Sequence, residues 1–78
     1  MFNVYLTDVC NVPSDIPPAH KILLQRFTTH DEADMFLNTK VQMEPRKSPH
    51  ERLIGNPSGD YCIDFGSWNR FYVLAEEN

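Results

Sequence analysis

The prolines of this chain confine its regular secondary structure to a few stretches. Six prolines fall in two clusters, within residues 13–18 and 45–57. Proline fixes φ and has no N–H to donate, so each cluster excludes a long helix or a central strand. The regular elements must therefore lie mainly before, between and after these clusters.

Two strands are predicted in the first third of the chain. Apolar and polar residues alternate over residues 2–9, a period of two that is typical of a strand. Residues 21–27 form the second predicted strand. Its consecutive Ile22, Leu23 and Leu24 indicate burial on both faces, as at the centre of a sheet.

The main helix is predicted over residues 30–40. Thr29 and Glu32 match a capping box, in which the threonine caps the helix and the glutamate lies in its first turn. An apolar stripe with helical spacing follows, formed by Ala33, Phe36, Leu37 and Val41. Phe36 and Leu37 are therefore expected to pack into the core.

A second capping box lies inside the later proline cluster. Ser48 and Glu51 have the required spacing, and Pro49 occupies the first helical position. This pattern predicts a short helical turn over residues 49–54, with Gly55 as its stop.

The last third of the chain predicts a β-hairpin with strands over residues 61–65 and 68–74. Gly66 and Ser67 would form a two-residue turn, which places Tyr61 opposite Tyr72. The expected fold is α+β in a single domain over residues 1–78. Its order is β-β-α-β-β, with a four-stranded, mostly antiparallel sheet, one main helix and a short helical turn.

Composition narrows the classes of function. The formal net charge is −4 and the isoelectric point is about 5.1, which makes direct nucleic-acid binding less favoured than protein binding. No apolar run reaches the length of a membrane span, and no basic segment precedes the first apolar residues as in a signal peptide. We expect no membrane contact.

The cysteines give no metal-binding pattern. Cys10 and Cys62 lie 52 positions apart, without a CxxC motif or a nearby histidine, so neither a metal site nor a cofactor is expected. A disulfide closing this loop could contribute roughly 4 kcal/mol. Small secreted domains usually carry more cysteines, which favours two reduced thiols and a cytoplasmic setting.

The candidate contact residues lie in the hairpin and in the basic loop 44–55. Aromatic residues crowd the hairpin, and an exposed one would anchor a partner, although they could also simply fill the core. Asp60 and Asp64 would steer a basic partner. The candidate contact residues are Trp68, Tyr72, Asp60, Asp64, Arg46 and Lys47.

These features favour a non-enzymatic protein–protein interaction module. Its partner would be a larger protein with a basic surface, such as a nucleic-acid-binding protein, which the domain inhibits or adapts. This format (small, acidic, aromatic, without a catalytic motif) resembles that of small regulatory proteins of mobile elements. One alternative is a nucleic-acid contact protein that uses loop 44–55 and the hairpin aromatics. A second is a small enzyme or subunit with a Cys–His site.

Overall fold

A computed structural model describes residues 1–45, 48 and 51–77. Within these residues the chain is α+β, as predicted, with one α-helix and an antiparallel sheet of five strands rather than the predicted four. The elements are β1 (Phe2–Thr7), β2 (Lys21–Phe27), α1 (His30–Gln42), β3 (Arg52–Gly55), β4 (Tyr61–Asp64) and β5 (Phe71–Glu76). Two 3-10 turns, Pro13–Asp15 and Pro18–His20, lie in the first proline cluster.

The two terminal strands lie side by side at the centre of the sheet. The strand order is β2-β1-β5-β4-β3, and every neighbouring pair is antiparallel. Beyond the last paired residues, the Glu77 N–H donates to the Met1 carbonyl at 2.7 Å. The sheet therefore has β2 and β3 as its edges.

Both faces of the sheet are covered. On one face α1 packs over the main core, whose buried members are Val4, Ala33, Leu37, Val41, Tyr61, Ile63, Phe65, Tyr72 and Leu74. On the other face Ile16, from the proline-rich segment, packs with Cys62, Phe71 and Val73. Strands buried on both faces lose a clean alternation, which is why the sequence of the hairpin did not indicate a single core side.

The predicted helix cap is confirmed. Thr29 has extended backbone angles, and its hydroxyl oxygen accepts a hydrogen bond from the Glu32 N–H at 3.2 Å. The same hydroxyl lies 2.9 Å from Glu32 Oε1, to which it donates. The helix begins at His30 as predicted and ends at Gln42 rather than at residue 40.

Replacing Thr29 with alanine should lower the free energy of unfolding by about 1 kcal/mol, because an N–H at the helix start loses its acceptor. Urea denaturation would measure the change. Thr39→Ala is the matched control, because the Thr39 hydroxyl bonds back to the Met35 carbonyl within the helix. Alanine there should be neutral or slightly stabilising. Equal stabilities for the two variants would contradict the capping role.

The prediction that β2 lies at the sheet centre is wrong. Its bounds are as predicted, but it is an edge strand with most of its side chains exposed. Val4 pairs with Gln25 and Tyr5 with Leu23, so Leu24 is an extra residue in a β-bulge. An apolar run predicts burial only if elements cover both faces, and here the core lies over the central strands. The bulge twists this edge and hinders further strand pairing.

The predicted helical turn over residues 49–54 is also wrong where the structure describes it. Arg52–Gly55 is a strand paired with β4, with Leu53 opposite Ile63; Pro49 lies outside the described residues. The loop over 56–60 closes this hairpin through the Asn56 N–H, which donates to the Asp60 carbonyl at 3.0 Å. Pairing with a buried neighbouring strand outweighs the local capping pattern.

The predicted register of the last hairpin is wrong as well. Tyr61 pairs with Leu74 and Ile63 pairs with Tyr72, and the connecting loop spans residues 65–70. A two-residue turn would have kept Phe65 in the ladder. Instead Phe65 folds into the core, where its ring stacks on that of Tyr72 with centroids 5.5 Å apart.

Candidate interaction surface

The side chain of Trp68 is 98% exposed, more than any other large hydrophobic side chain in the described residues. It lies on the loop over residues 65–70, here called the Trp68 loop. An indole offers a large apolar surface together with one N–H donor. At this exposure the indole packs against almost nothing in the domain, so it contributes little to folding.

The start of the Trp68 loop is held by hydrogen bonds. The Ser48 N–H donates to the Phe65 carbonyl at 2.7 Å, and the Gly66 N–H donates to Asp64 Oδ1 at 2.9 Å. Gly66 has φ +99°, and a Cβ there would lie 2.6 Å from the Ser48 Cβ, so this close approach requires glycine. The loop therefore leaves the sheet in a defined direction.

The end of the Trp68 loop is held by a carboxylate that follows α1. Glu44 Oε2 accepts hydrogen bonds from Arg70 Nη2 at 3.1 Å and from the Tyr72 hydroxyl at 2.6 Å. The Glu44 side chain is only 13% exposed. The Tyr72 hydrogen bond lowers the pKa of Glu44 below its usual value of 4.5, and Arg70 adds to this against the opposing effect of burial.

This carboxylate should make stability depend on pH. A carboxyl group with a lowered pKa in the fold stabilises it above the usual pKa of 4.5, and this contribution disappears as the pH falls through the folded pKa. Tyr72→Phe should cost about 1–2 kcal/mol near neutral pH and less in acid. Denaturation at the two pH values would measure both costs.

Tyr5→Phe is the control for this pH dependence, because the Tyr5 hydroxyl accepts from the uncharged amide of Asn3 at 3.0 Å. Its cost should stay the same between neutral and acid pH. An equal pH dependence in both variants would contradict the role of Glu44.

The candidate contact residues of the hairpin differ in their burial and in their hydrogen bonds. Tyr72 is 3% exposed and lies in the core, where its hydroxyl holds Glu44. Its ring therefore contributes to folding rather than to an exposed surface. Asp64 lies at the start of the Trp68 loop and also contacts Arg52 Nη2 at 3.4 Å. Asp64 thus positions the loop in addition to carrying charge.

Asp60 lies at the opposite end of β4 from the Trp68 loop. Its Oδ1 accepts a hydrogen bond from the Glu76 N–H at 2.9 Å, which places it with the acidic end of the chain. The structure thus brings Asp64, but not Asp60, to the base of the Trp68 loop. Arg46 and Lys47 lie outside the described residues.

A cleft of about 250 Å³ lies next to the Trp68 loop, and sequence reasoning did not find it. Its walls are Leu6, Thr7, Asp8, Ala19, His20, Ile22, Asn69 and Arg70. His20 Nδ1 and Asp8 Oδ1 are 2.9 Å apart, and Ile22 is 63% exposed. Three distant segments meet here, so no local pattern signals this cleft.

The described residues contain no group of three or more His, Cys, Asp or Glu residues arranged to hold a metal ion. His20 contacts Asp8, and His30 Nε2 lies 3.0 Å from the Gly59 carbonyl oxygen. His50, the third histidine, lies outside the described residues. Within the part of the chain that is described, no helix is both long and apolar enough to cross a membrane.

No protein-family model matches this chain. No curated protein and no solved structure matches it significantly either. The function proposed below therefore rests on the geometry of the molecule itself.

Proposed function

We propose that this domain is a non-enzymatic interaction module that binds a larger protein through Trp68 and the adjoining cleft. The exposure of Trp68 on a loop with fixed ends carries this proposal. Tryptophan is among the residues that contribute most to binding when buried at the centre of an interface. A loop that is already ordered loses little conformational entropy on binding, so more of this contact energy appears as affinity.

The cleft supplies the second half of the proposed contact. Its exposed Ile22 and the neighbouring Leu6 and Ala19 suit an apolar side chain of the partner. Asp8, His20 and Arg70 provide polar groups at the same place. Apolar walls with a few polar groups are typical of pockets that bind a side chain specifically.

The charge of the domain supports a partner with a basic surface. A net charge of −4 on 78 residues attracts such a surface and speeds its capture. Nucleic-acid-binding proteins carry basic surfaces of this kind, and an acidic domain seated there would block or redirect them. The domain would thus act as an inhibitor or adaptor.

A variant series tests the proposal on a partner captured from native cell extract and identified by mass spectrometry. Trp68→Ala should weaken binding by about 30-fold, mainly through faster dissociation, with the thermal midpoint unchanged. Higher salt should slow association of all variants. Biosensor kinetics at two salt concentrations would measure both effects.

Met35→Ala is the matched control, because Met35 is also exposed (71%) but lies in a groove along the outer face of α1. It should bind like the wild type. Full affinity in Trp68→Ala would refute the proposal. If Met35→Ala loses affinity instead, the interface lies along α1.

A further inference from the structure

The two cysteines meet on the sheet face opposite α1. Cys10 follows β1 and packs against the cluster that contains Cys62 of β4. In this cluster the Cys10 thiol is a neighbour of the Cys62 thiol and interacts with it electrostatically. Both cysteines are free thiols in the structure. Two residues 52 positions apart in the sequence are thus side by side in the fold.

We propose that Cys10 and Cys62 are a site of reversible disulfide formation within one chain, oxidised by small disulfides such as glutathione disulfide. The two thiols differ in access. Cys10 is partly exposed, whereas Cys62 is completely buried. The oxidant can therefore reach Cys10 first, and Cys62 lies where it can resolve the product.

The exchange proceeds in two steps. The Cys10 thiolate attacks one sulfur of glutathione disulfide, whose S–S bond breaks, and one glutathione leaves as a thiol after taking up the proton. The Cys62 sulfur then attacks the Cys10 sulfur of this mixed disulfide, and the second glutathione leaves with the Cys62 proton. The protein loses two hydrogen atoms, and one glutathione disulfide becomes two glutathione molecules.

The second step requires ionisation of the buried Cys62 thiol. Burial, helped by the neighbouring Cys10 and Asp64 and opposed by the Asn11 backbone, raises the pKa of Cys62 to about 12. Tyr5 is another titratable group packed against this cluster. Because only the thiolate attacks, resolution by Cys62 should speed up as the pH rises.

The full-length protein, treated with glutathione disulfide and then alkylated, tests the proposal by mass spectrometry. The expected product is a monomer that lacks two hydrogen atoms, takes up no alkylating reagent and regains both thiols on reduction. Its thermal midpoint should rise by roughly 15 °C or more, because the bond restricts the unfolded chain.

Two single variants distinguish the internal bond from independent oxidation. Cys10→Ser should take up no glutathione and gain no thermal stability, because its remaining thiol is buried. Cys62→Ala should stop at the mixed disulfide on Cys10. If the wild type also stops at that mixed disulfide at every pH tested, or only forms dimers between chains, the proposal is refuted. Cys10 is partly exposed, so Cys10→Ser should keep the fold. It therefore tests the proposal even if Cys62→Ala, which changes a buried residue, does not fold.

Discussion

Replacing Leu37 with alanine should lower the free energy of unfolding by about 2–5 kcal/mol. Leu37 is completely buried at the middle of the α1 stripe and packs into the main core. Alanine would lose the transfer energy of the removed carbons and leave a cavity beneath the helix. Small domains have only a few kcal/mol of total stability, so this loss is a large part of it. Urea denaturation at constant pH would measure the change.

Alanine variants of two neighbouring residues on α1 serve as comparisons for Leu37→Ala. Phe36 is half-buried, with its ring centroid 5.2 Å from that of Phe27, and its alanine variant should lose less than Leu37→Ala. Met35→Ala removes an exposed side chain and should change stability by less than about 0.5 kcal/mol. If Leu37→Ala melts like Met35→Ala, then α1 does not present this face to the sheet.

The helix could be predicted because its signals are local. The cap at Thr29 and the spacing of Ala33, Leu37 and Val41 lie within thirteen consecutive residues, and the structure uses all of them. The bounds of β2 were predictable for a similar reason, since proline precedes it and a helix cap follows it. Element type in these stretches depends little on distant residues.

The sheet could not be predicted to the same depth, because strand order and register depend on distant partners. β3 has only four residues, and Leu53 becomes part of a strand by pairing with Ile63. β2 is an edge because β1 pairs on its other side with β5, at the far end of the chain. The pattern of apolar and polar residues within β2 does not indicate that β1 pairs with β5.

The candidate surface was predictable only in part. A turn rich in glycine and serine places Trp68 at the surface, which sequence alone indicates. The burial of Tyr72 follows from a register that places it opposite Ile63 instead of Tyr61. Asp60 precedes β4 and Asp64 ends it, and they accept hydrogen bonds from different elements, so only Asp64 lies at the Trp68 loop.

Gly55→Ala should destabilise the domain by roughly 2–4 kcal/mol. Gly55 ends β3 with φ +116°, a backbone conformation that side-chain-bearing residues rarely adopt. A Cβ there would lie 2.6 Å from the Asp60 carbonyl oxygen and 3.0 Å from the Tyr61 Cα. Both contacts are with backbone, which cannot move without shifting β4 in the ladder.

Gly59→Ala is the control within the same hairpin loop. The closest atom to its added Cβ is the Asn56 side-chain nitrogen at 3.2 Å, the far end of a side chain that can rotate. Its cost should stay below about 1 kcal/mol. Amide hydrogen exchange over Arg52–Gly55 should accelerate in Gly55→Ala and remain slow in Gly59→Ala, because only the first substitution disturbs the pairing of β3 with β4. Equal stability and equal exchange in the two variants would show that residue 55 does not need its left-handed backbone.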